Sequence, residues 1–110
     1  MFRLAPDADI TGTCLGSNIS ISPVKLRQLF GEPYKSDGYK VSGEYTFLDS
    51  DDNVITLYDW KCTSLYDSSC PEPEDFWNDT KDAYFHIGAA NKQIAETFAN
   101  LLAAINKLEG

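Results

Sequence analysis

Polar and apolar positions along the chain alternate with period two in its middle third. Val41, Tyr45 and Phe47 share one parity. After the polar run Asp49-Ser50-Asp51-Asp52-Asn53, Ile55 and Leu57 take it up again. Such alternation marks strands with one buried face, and the intervening Asp/Ser/Asn cluster is turn material. A loop at Ser50-Asp51-Asp52 sets Phe47 opposite Ile55, Tyr45 opposite Leu57 and Gly43 opposite Asp59. The same register sends Tyr58 and Trp60 to the other face, beside Ser42, Glu44 and Thr46.

The period changes elsewhere. In "SPVKLRQLFGEP" Ser22 is a helix N-cap and Pro23 suits the first helical position, where a missing N–H costs nothing. Val24, Leu26, Leu29 and Phe30 form the apolar stripe, Gly31 permits the stop and Pro33 blocks continuation. A second helix is predicted over residues 90–108. There Ile94, Phe98, Leu101, Leu102, Ile105 and Leu108 recur at three- and four-residue steps, with Asn91, Gln93, Glu96, Asn100 and Lys107 on the wet side. Such a helix lies across a sheet; its alternative use is a homodimer seam. Residues 10–21 read as a strand or small hairpin with Gly16-Ser17 as a turn, and "AYFHIG", residues 83–88, as a short buried strand. The expected fold is α+β: one domain over residues 1–110, an antiparallel sheet, a short helix in the N-terminal half and the C-terminal helix packed on one face.

Residues 63–82 break both patterns. Six acids (Asp67, Glu72, Glu74, Asp75, Asp79, Asp82) face one Lys81, so this segment carries −5 of the net charge of −8. Such a face repels phosphate backbones, which argues against nucleic acid and for a basic partner. Tyr66, Phe76 and Trp77 lie among these acids, and a loop that served only solubility has no need of aromatics. Long irregular segments in compact domains are commonly functional or disordered. The segment therefore reads as an acidic-aromatic insert that binds a partner.

Candidate chemistry is sparse. Cys14, Cys62 and Cys70 form no C-x-x-C pair, and with a single His86 they make no zinc set. Asp49 to Asn53 imitates the opening of a calcium loop. Val54 and Trp60 then occupy the places that require glycine and glutamate, so the run is a turn. There is no phosphate-binding glycine loop, dinucleotide fingerprint or nucleophile elbow. No catalytic residue, metal or cofactor is expected. No apolar leader follows Met1-Phe2-Arg3-Leu4 and no run of 18 apolar residues occurs, so the expectation is an intracellular chain that does not engage a membrane.

"GTCLGSNI", "LFGEP", "KVSGEYTF", "VITLYDWK" and "FHIGA", in this order before a C-terminal helix, resemble a group of small, mostly uncharacterised proteins encoded by bacteriophages and other large DNA viruses. The likeness spans most of the chain from Gly12 onward. The chain departs from the group in having Phe85 where a Trp is expected before the His, and in a longer acidic loop. The resemblance implies a viral protein of the host cytoplasm, with the YDWK strand end and the HIG turn as its recurring features. These are Tyr58, Asp59, Trp60 and Lys61, and His86, Ile87 and Gly88.

Two functions follow as expectations. In the first, a non-catalytic accessory protein binds and inhibits or modulates a host protein, such as a defence protein, that has a basic surface. Tyr58, Asp59, Trp60, Lys61, Phe76, Trp77 and His86 then contribute to one surface. In the second, Tyr58, Trp60, Lys61 and His86 line a pocket that sequesters a nucleotide-like small molecule. A minor virion component is a third.

Overall fold

A computed structural model describes residues 1–35 and 38–109. Five antiparallel strands form one sheet: β1 (Phe2–Leu4), β2 (Cys14–Ile21), β3 (Glu44–Asp49), β4 (Val54–Asp59) and β5 (Ala83–Ala89). Their spatial order is β1-β3-β4-β5-β2, so the first two strands occupy opposite edges. The helices are α1 (Pro23–Phe30), α2 (Pro73–Trp77) and α3 (Lys92–Glu109). The protein is an α+β domain with α3 packed against the sheet.

From Glu44 to Leu48 the hairpin register is the one the parity argument requires, but the alternation does not extend back through residues 41–43: Val41 lies with Tyr58 and Trp60, and the Ser42 hydroxyl bonds Asp59 and Trp77 on the helix side. Tyr45 pairs with Leu57, Phe47 with Ile55 and Glu44 with Tyr58. Asp49 closes the turn: Oδ1 accepts the N–H groups of Asp51 and Asn53, each at 2.9 Å, and Asp52 takes φ 62°. Tyr45, Phe47, Ile55, Leu57, Phe85, Ile87, Ile19 and Ile21 face the helices and are buried with Ala95, Phe98 and Leu102 of α3. Phe2 and Phe30 seal the β1 side, with ring centroids 5.3 and 4.9 Å from Phe47. Helix α1 begins and ends where its caps dictate. Ser22 Oγ accepts the Lys25 N–H at 3.0 Å, and Gly31 at φ 83° donates its N–H to Arg27 O at 2.9 Å.

Several elements differ from the sequence reading. Gly16-Ser17 is not a turn: β2 runs unbroken through it, with a bulge between Leu15 and Ser17. A Cβ on Gly16 would lie 2.7 Å from Ala95 Cβ, so glycine stands where α3 comes too close to β2 for a side chain. Residues 2–4 form an edge strand with too few positions to show alternation. The acidic segment is not wholly irregular. Pro73 starts α2, Glu74 and Asp75 lie in its first turn where the helix dipole favours acids, and Phe76 and Trp77 end it. On α3, Leu101 and Ile105 are half-buried and Leu108 is 88% exposed, so the stripe is narrower than its spacing suggests.

The connection from β1 to β2 must pass three strands. Residues 5–13 do so on the face opposite α3, since Ile10 and Thr13 line a groove with Thr56 and Tyr58. Thr46 and Thr56 are buried on that face. Towards β5 and β2 it opens to Asn18, Ser20, Tyr84 and His86.

Candidate functional site

Strand β4 ends at Asp59, and the next two residues turn in different directions. Tyr58 and Trp60 keep the parity of the second face, as the register requires. His86 joins them there because β5 pairs it directly with Tyr58. The Trp60 and His86 rings lie nearly parallel, 20° apart in plane with centroids 5.7 Å apart. Tyr58 meets both edge-on, at 6.4 Å from Trp60 and 5.6 Å from His86. Trp60 remains 38% exposed.

Lys61 has the parity of Ile55 and Leu57 but adopts φ 58°, which swings its chain back over the strand end. Its backbone N–H donates to Lys40 O at 2.6 Å, joining the 38–42 segment to the same corner. The side chains then close a ring. Lys61 Nζ lies 5.7 Å from the Trp60 centroid and 4.9 Å from that of Tyr66. Lys40 Nζ lies 5.6 Å from Trp60 and 6.0 Å from Tyr39. Tyr39 and Tyr66 complete it at 5.4 Å. Each ammonium sits between two ring quadrupoles, which fixes flexible lysines at little cost in water contact. Tyr66 is the one aromatic of the acidic segment that reaches this corner. Tyr66 belongs to the acidic-aromatic segment read as partner-binding, whereas Lys40 and Tyr39 escaped the sequence reading because their place here depends on the Lys61–Lys40 backbone bond and not on periodicity.

Three of the sequence-predicted residues are elsewhere. Asp59 is fully buried on the helix side, with its carboxylate bonded to Ser42 and Gly43. Its parity with Ile55 and Leu57 was the available signal. Phe76 and Trp77 are 6% and 7% exposed and pack on Phe85 in the main core, on the opposite side of the sheet from Trp60. Trp77 fills the space above Gly43, where a Cβ would stand 2.6 Å from its ring, and its Nε1 donates to Ser42 Oγ at 2.9 Å. The expected single surface of Trp60 with Phe76 and Trp77 is therefore not formed. A sheet separates them.

The titratable groups are tuned by burial. Burial lowers the His86 pKa, so the ring against Trp60 is neutral near pH 7. Burial raises the Tyr58 phenol and the Cys62 thiol, whose Sγ donates to Trp60 O at 3.4 Å. A thiol held protonated is a poor nucleophile. Among the described residues no group of three His, Cys, Asp or Glu side chains is placed to hold a metal, and no helix is long and apolar enough to cross a membrane.

The groove beside the aromatic corner has a volume of about 230 Å³, and Ile10, Val41, Glu44, Tyr58 and Trp60 are among the residues lining it. No protein-family model matches the chain, and no curated protein sequence matches it.

Proposed function

We propose that this is a non-catalytic binding module whose contact surface is the Trp60 corner, and that its target is a protein. The observation that supports this is a tryptophan both exposed and held still. Trp60 offers over a third of its surface to solvent while His86, Tyr58, Lys40 and Lys61 fix its ring. A rigid aromatic loses little entropy on contact, as interface hot spots require. Asp67, Glu72, Glu74, Asp75, Asp79 and Asp82 are all exposed, and among the described residues none joins an ion pair. They are free to steer a target with a basic surface. The likeness of the ordered segments to phage and large-DNA-virus proteins is the support for taking that target to be a host protein whose action the module inhibits or modulates.

One observation favours the second reading, a nucleotide-like ligand. The chain is acidic as a whole, yet the two ammonium groups flank the exposed indole, so the corner is locally basic. Against it, the groove is smaller than the ~300–1,000 Å³ of ordinary ligand pockets.

The test compares wild type with Trp60→Ala and Trp77→Ala in capture from bacterial lysate, alongside a nucleotide panel read by thermal shift. Under the first reading, Trp60→Ala abolishes a salt-sensitive capture while its melting temperature stays within a few degrees of wild type. Equal capture by Trp60→Ala and wild type refutes the surface. A nucleotide that raises the wild-type melting point but not that of Trp60→Ala gives the site to the second reading.

A further inference from the structure

The two edges of the sheet are finished differently. Edge strand β1 has three residues, carries Arg3 and is followed by Pro6. These are the usual devices against strand addition. Strand β2, at the other edge, reads CLGSNISI over eight residues and has neither a charge nor a proline.

The hydrogen-bond alternation shows which groups this edge leaves unused. Asp49 N–H donates to Asn53 O at 3.1 Å and Ala5 N–H to Thr46 O at 2.8 Å, which fixes the parity of the whole antiparallel ladder. Carried across the registers, it turns Ser17, Ile19 and Ile21 towards β5 and directs the N–H and C=O of Asn18 and Ser20 outward. Both residues are exposed.

We infer that the chain self-associates through β2, two copies pairing antiparallel about Ile19 to join their sheets into one of ten strands. The pairing is self-complementary. A two-fold axis at Ile19 sets Asn18 of each copy opposite Ser20 of the other, and both carry outward groups, so every outward donor meets an acceptor. Charge points to a second copy. Two chains of net charge −8 meet at the one long strand that brings no like charges together. On the helix side Ile19 meets its own copy, continuing the apolar layer. The axis is normal to the sheet, so both Trp60 corners fall on one face. The seam is short against the ~1,200–2,000 Å² of a standard interface, so the dimer dissociates on dilution.

The test is sedimentation equilibrium over a wide concentration range. Wild type should pass from the 12.3 kDa chain mass to twice that value. Asn18→Asp with Ser20→Asp in one chain places carboxylates opposite each other across the seam and should stay monomeric, as should Asn18→Lys with Ser20→Lys. An equimolar mixture of the two variants should recover the doubled mass, because acids then face lysines. Unchanged melting of each variant at dilute concentration checks that its monomer is folded. Wild type at the single-chain mass throughout, or a mixture that stays monomeric, overturns the proposal.

Discussion

Ser42 binds Asp59 twice, its backbone N–H to Oδ1 at 2.8 Å and its hydroxyl to Oδ2 at 2.8 Å. Gly43 N–H adds a third bond to Oδ1 at 3.0 Å, and the same Ser42 hydroxyl accepts Trp77 Nε1. One buried carboxylate thus ties the end of β4 to the entry of β3 and, through Ser42, to α2. Asp59→Ala leaves two N–H groups without their acceptor and should cost about 2–5 kcal/mol in denaturant unfolding.

The pH dependence of this residue has a definite sign. Burial raises the Asp59 pKa above its ordinary value, and the bonds from Gly43 and Ser42 only partly oppose that. The folded state then binds the proton more tightly than the unfolded chain. Its contribution to stability is greatest below the unfolded pKa of ~3.9 and falls as pH rises through the folded value. Asp59→Asn removes this slope. The stability of wild type relative to Asp59→Asn should decline with rising pH across that window and level off above it. A constant difference would show that Asp59 does not titrate in that range.

A second relationship lies at the bulge of β2, where Gly16 admits Ala95. Gly16→Ala forces a methyl to within 2.7 Å of Ala95 Cβ and should cost about 1–3 kcal/mol. Ala95→Gly also destabilises, through helix propensity and lost packing, by about 1 kcal/mol or more. The pair together should cost less than the two separately, since each relieves the other's defect. Additive losses in a double-mutant cycle would mean that the contact is not the reason for glycine.

How much of this was legible in the sequence depended on the range of the interaction. The β3–β4 register followed from the parity of Phe47 and Ile55 across one short turn, and α1 from the local chemistry of Ser22, Pro23 and Gly31. Both are decided within a dozen residues. The parity also put Asp59 on the core side and Tyr58 and Trp60 on the other. The fate of Phe76 and Trp77 was not legible, because they are buried against Gly43 and Phe85, and neither neighbour leaves a mark in the local pattern. Acidic neighbours suggested exposure; in fact Glu74 and Asp75 lie on the solvent side of a short helix whose Phe76 and Trp77 turn inward. Tyr39 and Lys40 were missed for the same reason.

The width of the α3 stripe gives a fourth prediction. Phe98 is buried against Phe2 and Phe47, with centroids at 4.6 and 5.0 Å, and Phe98→Ala should cost about 3–5 kcal/mol. Leu101 is only half-buried at the β1 side, so Leu101→Ala should fall well below that. Asn100→Ala, at an exposed position, should stay within about 0.5 kcal/mol of wild type. Chemical denaturation of the three variants checks the order, and a Leu101→Ala loss equal to that of Phe98→Ala would place Leu101 in the core.

The Trp60–His86 stack gives an optical readout of the proposed site. The chain has two tryptophans, and Trp77→Phe leaves Trp60 as the only one. Phenylalanine cannot reproduce the Nε1 bond to Ser42, so the variant is less stable but keeps a large apolar ring in the same space. Burial lowers the His86 pKa, so the imidazole stays neutral below the ~6.5 at which an unperturbed histidine titrates. On acidification the imidazolium forms at 5.7 Å from the indole and quenches it. Trp60 emission in Trp77→Phe should therefore drop along a single titration centred below the ordinary histidine value, and Trp77→Phe/His86→Asn should show no such step. Stability follows the same group: the unfolded chain takes up the proton first, so the contribution present above the unfolded pKa is lost as pH falls through the folded value. Capture of the target should weaken over the same interval if the corner is the contact surface, because a third positive charge then joins Lys40 and Lys61 against a basic partner. An emission step that survives His86→Asn would assign the quenching to another group and separate His86 from the site.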